Sequence, residues 1–340
     1  MAAVTLNLTA DVVELTRDIC DIESVSGNEK ELADAIVART NLGRASRVVI
    51  AGHIDTVPVA NNLPVKFLPM EREQVLWGRG TVDMKAGVAV QLKLAAELAE
   101  PNVDLTWIFY DHEEVDATLN GLGRISRNRP DLLQANFAVL CEPTGAMVEG
   151  GCNGTMRADI TLRGVKAHSA RPWMGKNAIH GAAKLLTILD EHVTDEVEVD
   201  GLVYRESLNA VLISGGIATN VIPDEVKVTI NYRFAPSKSA LEAEAHLRKV
   251  FEGFDVVVTD SAEGARPGLD RPEAMAFIEA TQTTPRPKYG WTDVARFSAL
   301  GIPAINFGPG DPSKAHADDE NVPVSQIYTC ESALRKWLTA

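Results

Sequence analysis

The sequence is short of basic residues, and this shortage argues against a nucleic-acid partner. Its 340 residues include 33 lysines and arginines against 47 aspartates and glutamates, a formal net charge of −14. A surface that binds phosphates has to be positive. The negative charge would instead weakly favour the approach of a substrate that carries a cationic group.

Paired cysteines are absent as well. The four cysteines stand far apart, with no CxxC pair among them: Cys20, Cys141, Cys152 and Cys330. Isolated cysteines in a chain of this length are typical of a reducing compartment rather than of a disulfide-stapled secreted domain. The cysteine usage therefore predicts a cytoplasmic protein.

Long apolar runs and nucleotide-binding loops are also missing. No run approaches the ~18 apolar residues that a membrane-spanning helix needs. Charged residues such as Asp11 and Arg17 interrupt the N-terminal stretch, which a secretory signal would keep apolar. "WGRGT" lacks the Gly-x-Gly-x-x-Gly spacing, and no Walker-type Lys-Ser/Thr loop occurs. We therefore expect neither a membrane partner nor a nucleotide-binding protein.

Short apolar runs alternate with helical patterns through much of the chain. "RVVIAGHIDTVPV", "DLTWIFYDHEE" and "NFAVLCEPT" each end in polar residues, and "MKAGVAVQLKLAAELAE" has apolar residues at helical spacing. Near the end, "WTDVARFSALG" and "IPAINFGPG" repeat the order of helix and strand. Such alternation is typical of an α/β domain with a mostly parallel sheet.

The first 40 residues predict two helices. One apolar face over residues 8–20 predicts the first helix. Ser26 and Glu29 have the spacing of a capping box, so they predict a second helix that begins there and continues through Val37.

The middle of the chain follows a different order of elements. Its patterns predict β-α-β-β-α-β from about Gly154 to Asp260, which is the order of a ferredoxin-like unit. We therefore predict a discontinuous α/β domain over residues 1–152 and 263–340, with a ferredoxin-like domain inserted over residues 153–262.

Ligands of an open α/β sheet bind beyond the carboxyl ends of its strands, and here those ends carry histidines and carboxylates. The residues at these positions are His53, Asp55, Asp83, Glu113, Glu114, Glu142 and His316. Each alone has an ordinary explanation, such as a helix N-cap for Asp83 or a solvated loop for the two glutamates. Together on one rim they would repel one another, or stay unsatisfied, without a cation between them.

The mixture of ligand types indicates the metal and its number. Imidazoles and carboxylates suit Zn²⁺, with Co²⁺ or Mn²⁺ as substitutes. Two histidines and three carboxylates are too many for one tetrahedral zinc, but they fit two metals that share one carboxylate.

Two residues of this rim are predicted to act beside the metals. Successive side chains of a strand point to opposite faces. If Glu114 binds a metal, Glu113 is therefore free to act as the base that takes the proton of the attacking water. Asp55 stands two residues from His53 and could hydrogen-bond the far imidazole nitrogen, which would fix its tautomer.

Over nearly its whole length the chain resembles the dinuclear zinc hydrolases of the aminoacylase and carboxypeptidase family. The resemblance is carried by "GHIDTVP", "GRGTVDMKAG", "YDHEEVD", "CEPT" and "KAHADDE", and in the middle by "GVKAHSARP" and "NVIPDEVKVTINYRF". It implies that His53 and Glu142 bind one zinc, that Glu114 and His316 bind the other, and that Asp83 bridges them. It also implies that Glu113 is the general base and acid, and that the peptide bond after Asp83 is cis.

The resemblance gives the inserted domain a role as well. It implies that this domain is a lid that forms a homodimer, and that His168 in "KAHSARP" reaches the partner's active site and helps to stabilise the oxyanion. The residues alone favour the interpretation of His168 as a surface histidine at a strand-to-loop turn. The chain departs from many relatives in having "GCNGT" where they carry an arginine pair, so recognition of the acyl group differs or the substrate does.

Substrate contacts are implied for four residues. Arg233 in "NYRF" and Asn220 in "TNVIP" match positions that contact the substrate, and Arg171 and Thr292 are further candidates. An arginine is suited to hold a carboxylate through two hydrogen bonds. Arg233 could equally be an exposed cation of a strand.

The function that the resemblance implies is metal-dependent hydrolysis of an amide in a small N-acyl amino acid. The expected substrate is N-succinyl-LL-2,6-diaminopimelate, an intermediate of lysine and cell-wall biosynthesis. The first alternative is deacetylation of N-acetylornithine, or hydrolysis of another N-acyl amino acid or a dipeptide. The second is a noncatalytic binding or dimerisation protein on the same scaffold. The presence of all five expected ligands together with Glu113 argues against that alternative.

Overall fold

The computed structural model describes residues 6–29, 36–70 and 73–340, and the chain divides into two compact units. The first unit comprises Met1–Gly151, Pro267–Arg286 and Thr292–Ala340, and the second comprises Cys152–Arg266 and Pro287–Trp291. The main segment of the second unit extends slightly beyond the predicted insertion of residues 153–262 at both ends. The assignment of the units as a catalytic domain and a lid stays a prediction.

Helices and strands are numbered along the chain. The described helices are α1 (Val12–Cys20), α2 (Lys85–Glu97), α3 (Gly121–Asn128), α4 (Ala178–Asp190), α5 (Ala240–Val250), α6 (Pro272–Thr281), α7 (Val294–Ala299) and α8 (Val324–Thr339). The first strands are β1 (Ile36–Arg39), β2 (Arg47–His53), β3 (Lys66–Met70), β4 (Glu73–Trp77), β5 (Asp104–Tyr110), β6 (Phe137–Leu140) and β7 (Glu149–Gly150). The later strands are β8 (Gly154–Arg163), β9 (Ala167–His168), β10 (Asp195–Val199), β11 (Leu202–Gly215), β12 (Val221–Ile222), β13 (Glu225–Phe234), β14 (Val256–Ala262), β15 (Arg286–Pro287), β16 (Ala304–Asn306) and β17 (Asn321–Pro323).

A mostly parallel sheet forms the centre of the first unit, as predicted. Its order is β1-β5-β2-β6-β16-β7-β15, and β5, β2, β6 and β16 run parallel to one another. β1 and β7 pair antiparallel with β5 and β16. Every residue of β5 is buried, which is usual for a parallel strand covered on both faces. The four central strands therefore end at one rim, beyond His53, Tyr110, Leu140 and Asn306.

The N-terminal prediction holds for the first helix, and for the second helix it is wrong at the predicted start, Ser26, and at the predicted end, Val37. Asp11 caps the start of α1, and its side chain accepts the N–H of Val13 at 2.9 Å. Val37, the predicted end of the second helix, lies instead in β1 and pairs with Ile108. The Ser26 hydroxyl donates to Asp55 Oδ2 at 2.6 Å instead of capping a helix. Residues 30–35 of the predicted helix lie outside the described residues.

The main sheet of the second unit has the predicted ferredoxin-like order with one additional strand, and the short strands β9 and β12 form a separate two-stranded sheet. The antiparallel main sheet has the order β10-β11-β13-β8-β14, and α4 and α5 lie between its strands along the chain. Tyr232 and Phe234 of β13 and Leu247 of α5 belong to its core. The additional strand β10 forms a hairpin with the start of β11. Sequence reasoning missed it because "DEVEV" is dominated by carboxylates, which are uncommon in strands.

The sequence predicts neither paired cysteines nor a membrane-spanning helix. All four cysteines are free and buried. Within residues 6–29, 36–70 and 73–340, no helix is both long enough and apolar enough to cross a membrane.

Candidate metal centre

His53 ends β2, between two parallel neighbours, and its side chain is 1% exposed. Its Nδ1 lies 3.0 Å from the carbonyl oxygen of Asp55, and its Nε2 lies 3.0 Å from Asp83 Oδ1. A carbonyl oxygen can only accept, so Nδ1 carries a proton and Nε2 is left to face Asp83. The Asp55 carboxylate is farther away, with Oδ1 at 3.6 Å from Nδ1. The contact expected of the Asp55 carboxylate is therefore made by the Asp55 carbonyl.

The buried Asp55 carboxylate holds a different part of the site. It accepts the backbone N–H of Glu113 at 3.0 Å, the backbone N–H of Glu114 at 3.1 Å, and the hydroxyl of Ser26. Burial by itself would raise the pKa of Asp55, but His53, Ser26 and Glu113 lower it well below the ordinary value. Asp55 therefore stays ionised and fixes the backbone of the glutamate pair.

Glu113 and Glu114 lie in a loop rather than in a strand. β5 ends at Tyr110, and His112 has a positive φ of 57°. The argument from strand alternation therefore does not apply to these two residues, and its premise was wrong. His112 turns aside, with Nδ1 at 2.7 Å from Asp111 Oδ2.

The predicted ligands come together in the first unit. Among the described residues, three groups have ligand atoms that all lie within 4.8 Å of one another: His53, Asp83 and Glu142; Asp83, Glu114 and His316; and His53, Glu113 and Glu114. Asp83 belongs to the first two groups, which match the two implied ligand sets. The peptide bond after Asp83 is cis, as predicted. The third group means that geometry alone also permits Glu113 to be a ligand.

The electrostatics of this cluster fit a bound cation. His316 Nε2 lies 3.3 Å from Asp83 Oδ2 and 3.0 Å from Glu114 Oε2, and these contacts raise the pKa of His316 to about 10. Burial, and then the charge of Asp83, raise the pKa of Glu114. Burial raises the pKa of Glu113 well above its ordinary value. So much negative charge in a buried place has to be balanced by protons or by cations.

The candidate substrate contacts fall in both units. His168 of β9 is exposed, and its Nδ1 accepts the N–H of Ala170 at 3.0 Å. Arg171 lies beside it, because its backbone N–H donates to the carbonyl of His168 at 2.8 Å. The carbonyl of Asn220 accepts the N–H of Ser169 at 2.9 Å. These residues of the second unit therefore share one pair of loops.

The other two candidates are more buried. Arg233 of β13, also in the second unit, donates through Nε to Asn231 Oδ1 at 3.0 Å. Thr292 belongs to the first unit, and its hydroxyl lies 3.0 Å from Asn306 Oδ1. The hydroxyl of Thr292 is therefore engaged with the end of β16.

Sequence reasoning missed three buried charged residues near the cluster. Asp293 accepts from Asn120 Nδ2 at 3.0 Å, and its charge adds to the raised pKa of Glu113. Arg79 and Glu320 form a buried ion pair of 2.8 Å. Nothing in the sequence pairs Arg79 with a residue 241 positions away. The only sequence signal for a role of Arg79 was its place in "GRGT", just before Asp83.

Comparison with known proteins identifies the family. The profile of peptidase family M20/M25/M40 matches residues 49–340. The chain belongs to this family. It is thus an M20 metallohydrolase, and the resemblance found in its motifs is confirmed.

Two relatives and one solved structure illustrate the similarity. A putative succinyl-diaminopimelate desuccinylase of Mycobacterium tuberculosis H37Rv is 50% identical over 355 residues, covering 98% of this chain and 99% of the relative. The succinyl-diaminopimelate desuccinylase of Corynebacterium glutamicum is 44% identical over 364 residues, covering 98% of both. A tripeptidase of Staphylococcus aureus has a TM-score of 0.79 at 21% identity and 98% coverage of both chains, which bears on the fold alone. The alignment with the M. tuberculosis relative is longer than the 340 residues of this chain, so that relative has residues without a counterpart here.

Proposed function

We propose that this protein hydrolyses the amide bond of N-succinyl-LL-2,6-diaminopimelate, giving succinate and LL-diaminopimelate for lysine and cell-wall biosynthesis. The observation that carries the proposal is the 44% and 50% identity, over 98% of the chain, to relatives named for this reaction. The free amino group of this substrate is cationic and suits the chain's net charge of −14.

The metal centre of the proposal holds two zinc ions, with cobalt or manganese as substitutes. His53, Asp83 and Glu142 would hold one ion, and Asp83, Glu114 and His316 the other. The support is the donor chemistry of two groups that share Asp83. When bound, two such ions polarise a carbonyl and make water more acidic.

Glu113 is proposed to move the proton. It takes a proton from the attacking water and delivers it to the nitrogen of the leaving amine as the amide bond breaks. Burial raises the pKa of Glu113, which supports a carboxyl that can hold a proton between the two steps. Asp55 supports this role because it fixes the backbone N–H groups of Glu113 and Glu114.

The second unit is proposed to form a homodimer. β10 pairs with β11 only from Leu202 to Glu206, and in the described part of the chain no further strand covers that edge of Ser207–Gly215. The residues along this edge and on the nearby helix α4 include exposed apolar side chains: Val211, Leu212, Ile213, Ile217, Ile179 and Leu186. An open apolar strand edge invites pairing with another chain. A second copy of this chain would cover it.

The remaining roles follow from the resemblance. His168 is proposed to reach the partner subunit's active site and to donate a hydrogen bond to the oxyanion. Arg233, Asn220, Arg171 and Thr292 are proposed to bind the substrate, with an arginine on a carboxylate. The exposure of His168 and the shared loops of His168, Arg171 and Asn220 support this assignment.

The experiment that tests the function compares two substrates. The purified full chain, supplied with zinc, is assayed on N-succinyl-LL-2,6-diaminopimelate and on N-acetylornithine. We expect a clearly higher kcat/KM on the succinyl compound. Preference for N-acetylornithine would overturn the substrate and keep the reaction class. Hydrolysis of neither compound by zinc-loaded protein would overturn the proposed function.

A further inference from the structure

A buried ion pair contacts the chain segments that carry the proposed metal ligands. Arg79 Nη1 and Glu320 Oε2 are 2.8 Å apart, and their side chains are only 4% and 1% exposed. Removing two charges from water is costly, and an apolar pair of the same size would often stabilise a fold equally well. The hydrogen bonds of this pair therefore need a reason other than stability.

Glu320 holds the segment that carries Asp83. Its Oε1 accepts the backbone N–H of Val82 at 2.9 Å and that of Asp83 at 3.2 Å. Its backbone carbonyl accepts the N–H of Gly78 at 3.0 Å. Both the side chain and the backbone of Glu320 thus fix the loop just before the shared ligand.

Arg79 reaches the segments that carry the two histidines. Its Nε donates to the carbonyl of Pro58 at 3.1 Å, in the segment that follows His53. Its Nη1 donates to the carbonyl of Ala317 at 3.3 Å, next to His316. One guanidinium therefore connects two ligand segments, while its carboxylate partner fixes the third.

We propose that Arg79 and Glu320 are positioning residues that hold the segments of His53, Asp83 and His316 in place for metal binding. This inference rests on the metal centre of the proposed function. Partners that orient metal ligands without touching the metal commonly change its affinity when they are mutated. The pair contributes by arranging the ligands before the metals arrive, so that binding does not have to order three separate segments.

The test measures zinc binding without any substrate. Glu320→Gln keeps an oxygen that can accept a backbone N–H but removes the charge that faces Arg79. We expect zinc affinity, measured by competition with a chromogenic chelator, to fall about 10- to 100-fold. The matched control is Glu206→Gln in the second unit. Glu206 is equally buried and accepts from Tyr232 OH at 2.9 Å and from the Ala235 N–H at 2.8 Å. Zinc affinity should not change in this control.

Thermal unfolding separates positioning from simple stability. A ligand that binds the folded state raises Tm by an amount that grows with the logarithm of its affinity. Zinc should therefore raise the Tm of Glu320→Gln less than that of wild type, whereas the zinc-induced rise of Glu206→Gln should match wild type. An unchanged zinc affinity and an unchanged rise in Glu320→Gln would overturn the inference. Arg79→Lys, which keeps the cation and loses the planar fork, is the second variant and should show the same defect if Glu320→Gln does not fold.

The outcome also separates this inference from the proposed function. Wild-type protein that binds zinc and shows no hydrolysis would leave the positioning role intact and overturn the reaction. Wild-type protein that binds no zinc would overturn both.

Discussion

Two histidines with different proposed roles, His53 and His168, lie in regions that are built differently. His53 is 1% exposed, and both of its ring nitrogens have a partner inside the first unit. His168 is exposed, and its Nδ1 accepts a hydrogen bond from the backbone N–H of Ala170 in its own loop. The first unit thus fixes its ligand atoms by its own fold. The second unit presents His168 outward, as expected of a residue that serves another chain.

The same difference extends to the residues around them. In the first unit, Asp55 fixes two backbone N–H groups and Glu320 fixes two more. In the second unit, the loops of His168 are joined by β9 and β12, each of only two residues. Geometry in the first unit is set before any ligand binds. The second unit leaves its apolar edge and its candidate catalytic side chain open to a partner.

The largest expected effect comes from Glu113→Gln in the first unit. Glutamine keeps the shape of the side chain but cannot take the proton, so kcat should fall by about 10²- to 10⁴-fold. The fall in kcat is measured by turnover of N-succinyl-LL-2,6-diaminopimelate. Zinc content is measured by mass spectrometry. Zinc content should equal that of wild type. A loss of zinc would make Glu113 a ligand, which its position near His53 and Glu114 permits.

His168→Ala tests whether the second unit contributes to catalysis without contributing to zinc binding. Loss of a hydrogen-bond donor to the oxyanion should lower kcat by about 10²- to 10³-fold. Zinc affinity should not change, because none of the three ligand groups includes a residue of the second unit. Lys166→Ala, an exposed cation two positions away, is the control and should retain full activity. Reduced zinc affinity in His168→Ala would break the division of roles between the units.

Leu212→Glu tests whether a second copy covers the open edge of β11. Leu212 is 69% exposed, so a charge there should leave the fold of one chain intact and repel a partner. Sedimentation should find monomers, and kcat should fall toward the value of His168→Ala while zinc affinity stays that of wild type. A monomeric variant with full activity would overturn the role of the partner's His168.

The strand ends could be predicted from sequence because local pattern determines them. The apolar runs predicted the parallel strands, and the polar residues at the ends of these runs included His53, Glu114 and Glu142. The predicted start of the second helix was wrong because the Ser26 hydroxyl donates to Asp55, 29 residues away, a tertiary bond that no local rule anticipates. The positive φ of His112 ended the strand pattern earlier than expected.

The supporting contacts could not be predicted, because they join distant parts of the chain. Arg79 and Glu320 are 241 residues apart, and each looks like an ordinary surface charge in sequence. Asp55 was expected to act through its carboxylate on His53, but a backbone carbonyl makes that bond. Residue types indicate which side chains can bind a metal. Only the fold reveals which other side chains hold them.

The smallest expected effect comes from Asp55→Asn. Asparagine keeps one oxygen for a backbone N–H and places an NH₂ group where the other oxygen accepted, so one of Glu113 and Glu114 loses its anchor. Activity should fall about 10- to 100-fold, with a smaller change in zinc affinity, because His53 keeps its bond to the Asp55 carbonyl. Asp104→Asn at the opposite end of β5 is the matched control. Its carboxylate accepts the N–H groups of Leu42 at 2.7 Å and Arg44 at 3.1 Å. The control should lower Tm and leave kcat unchanged. Equal losses of kcat in both variants would reduce Asp55 to a residue that only stabilises the fold.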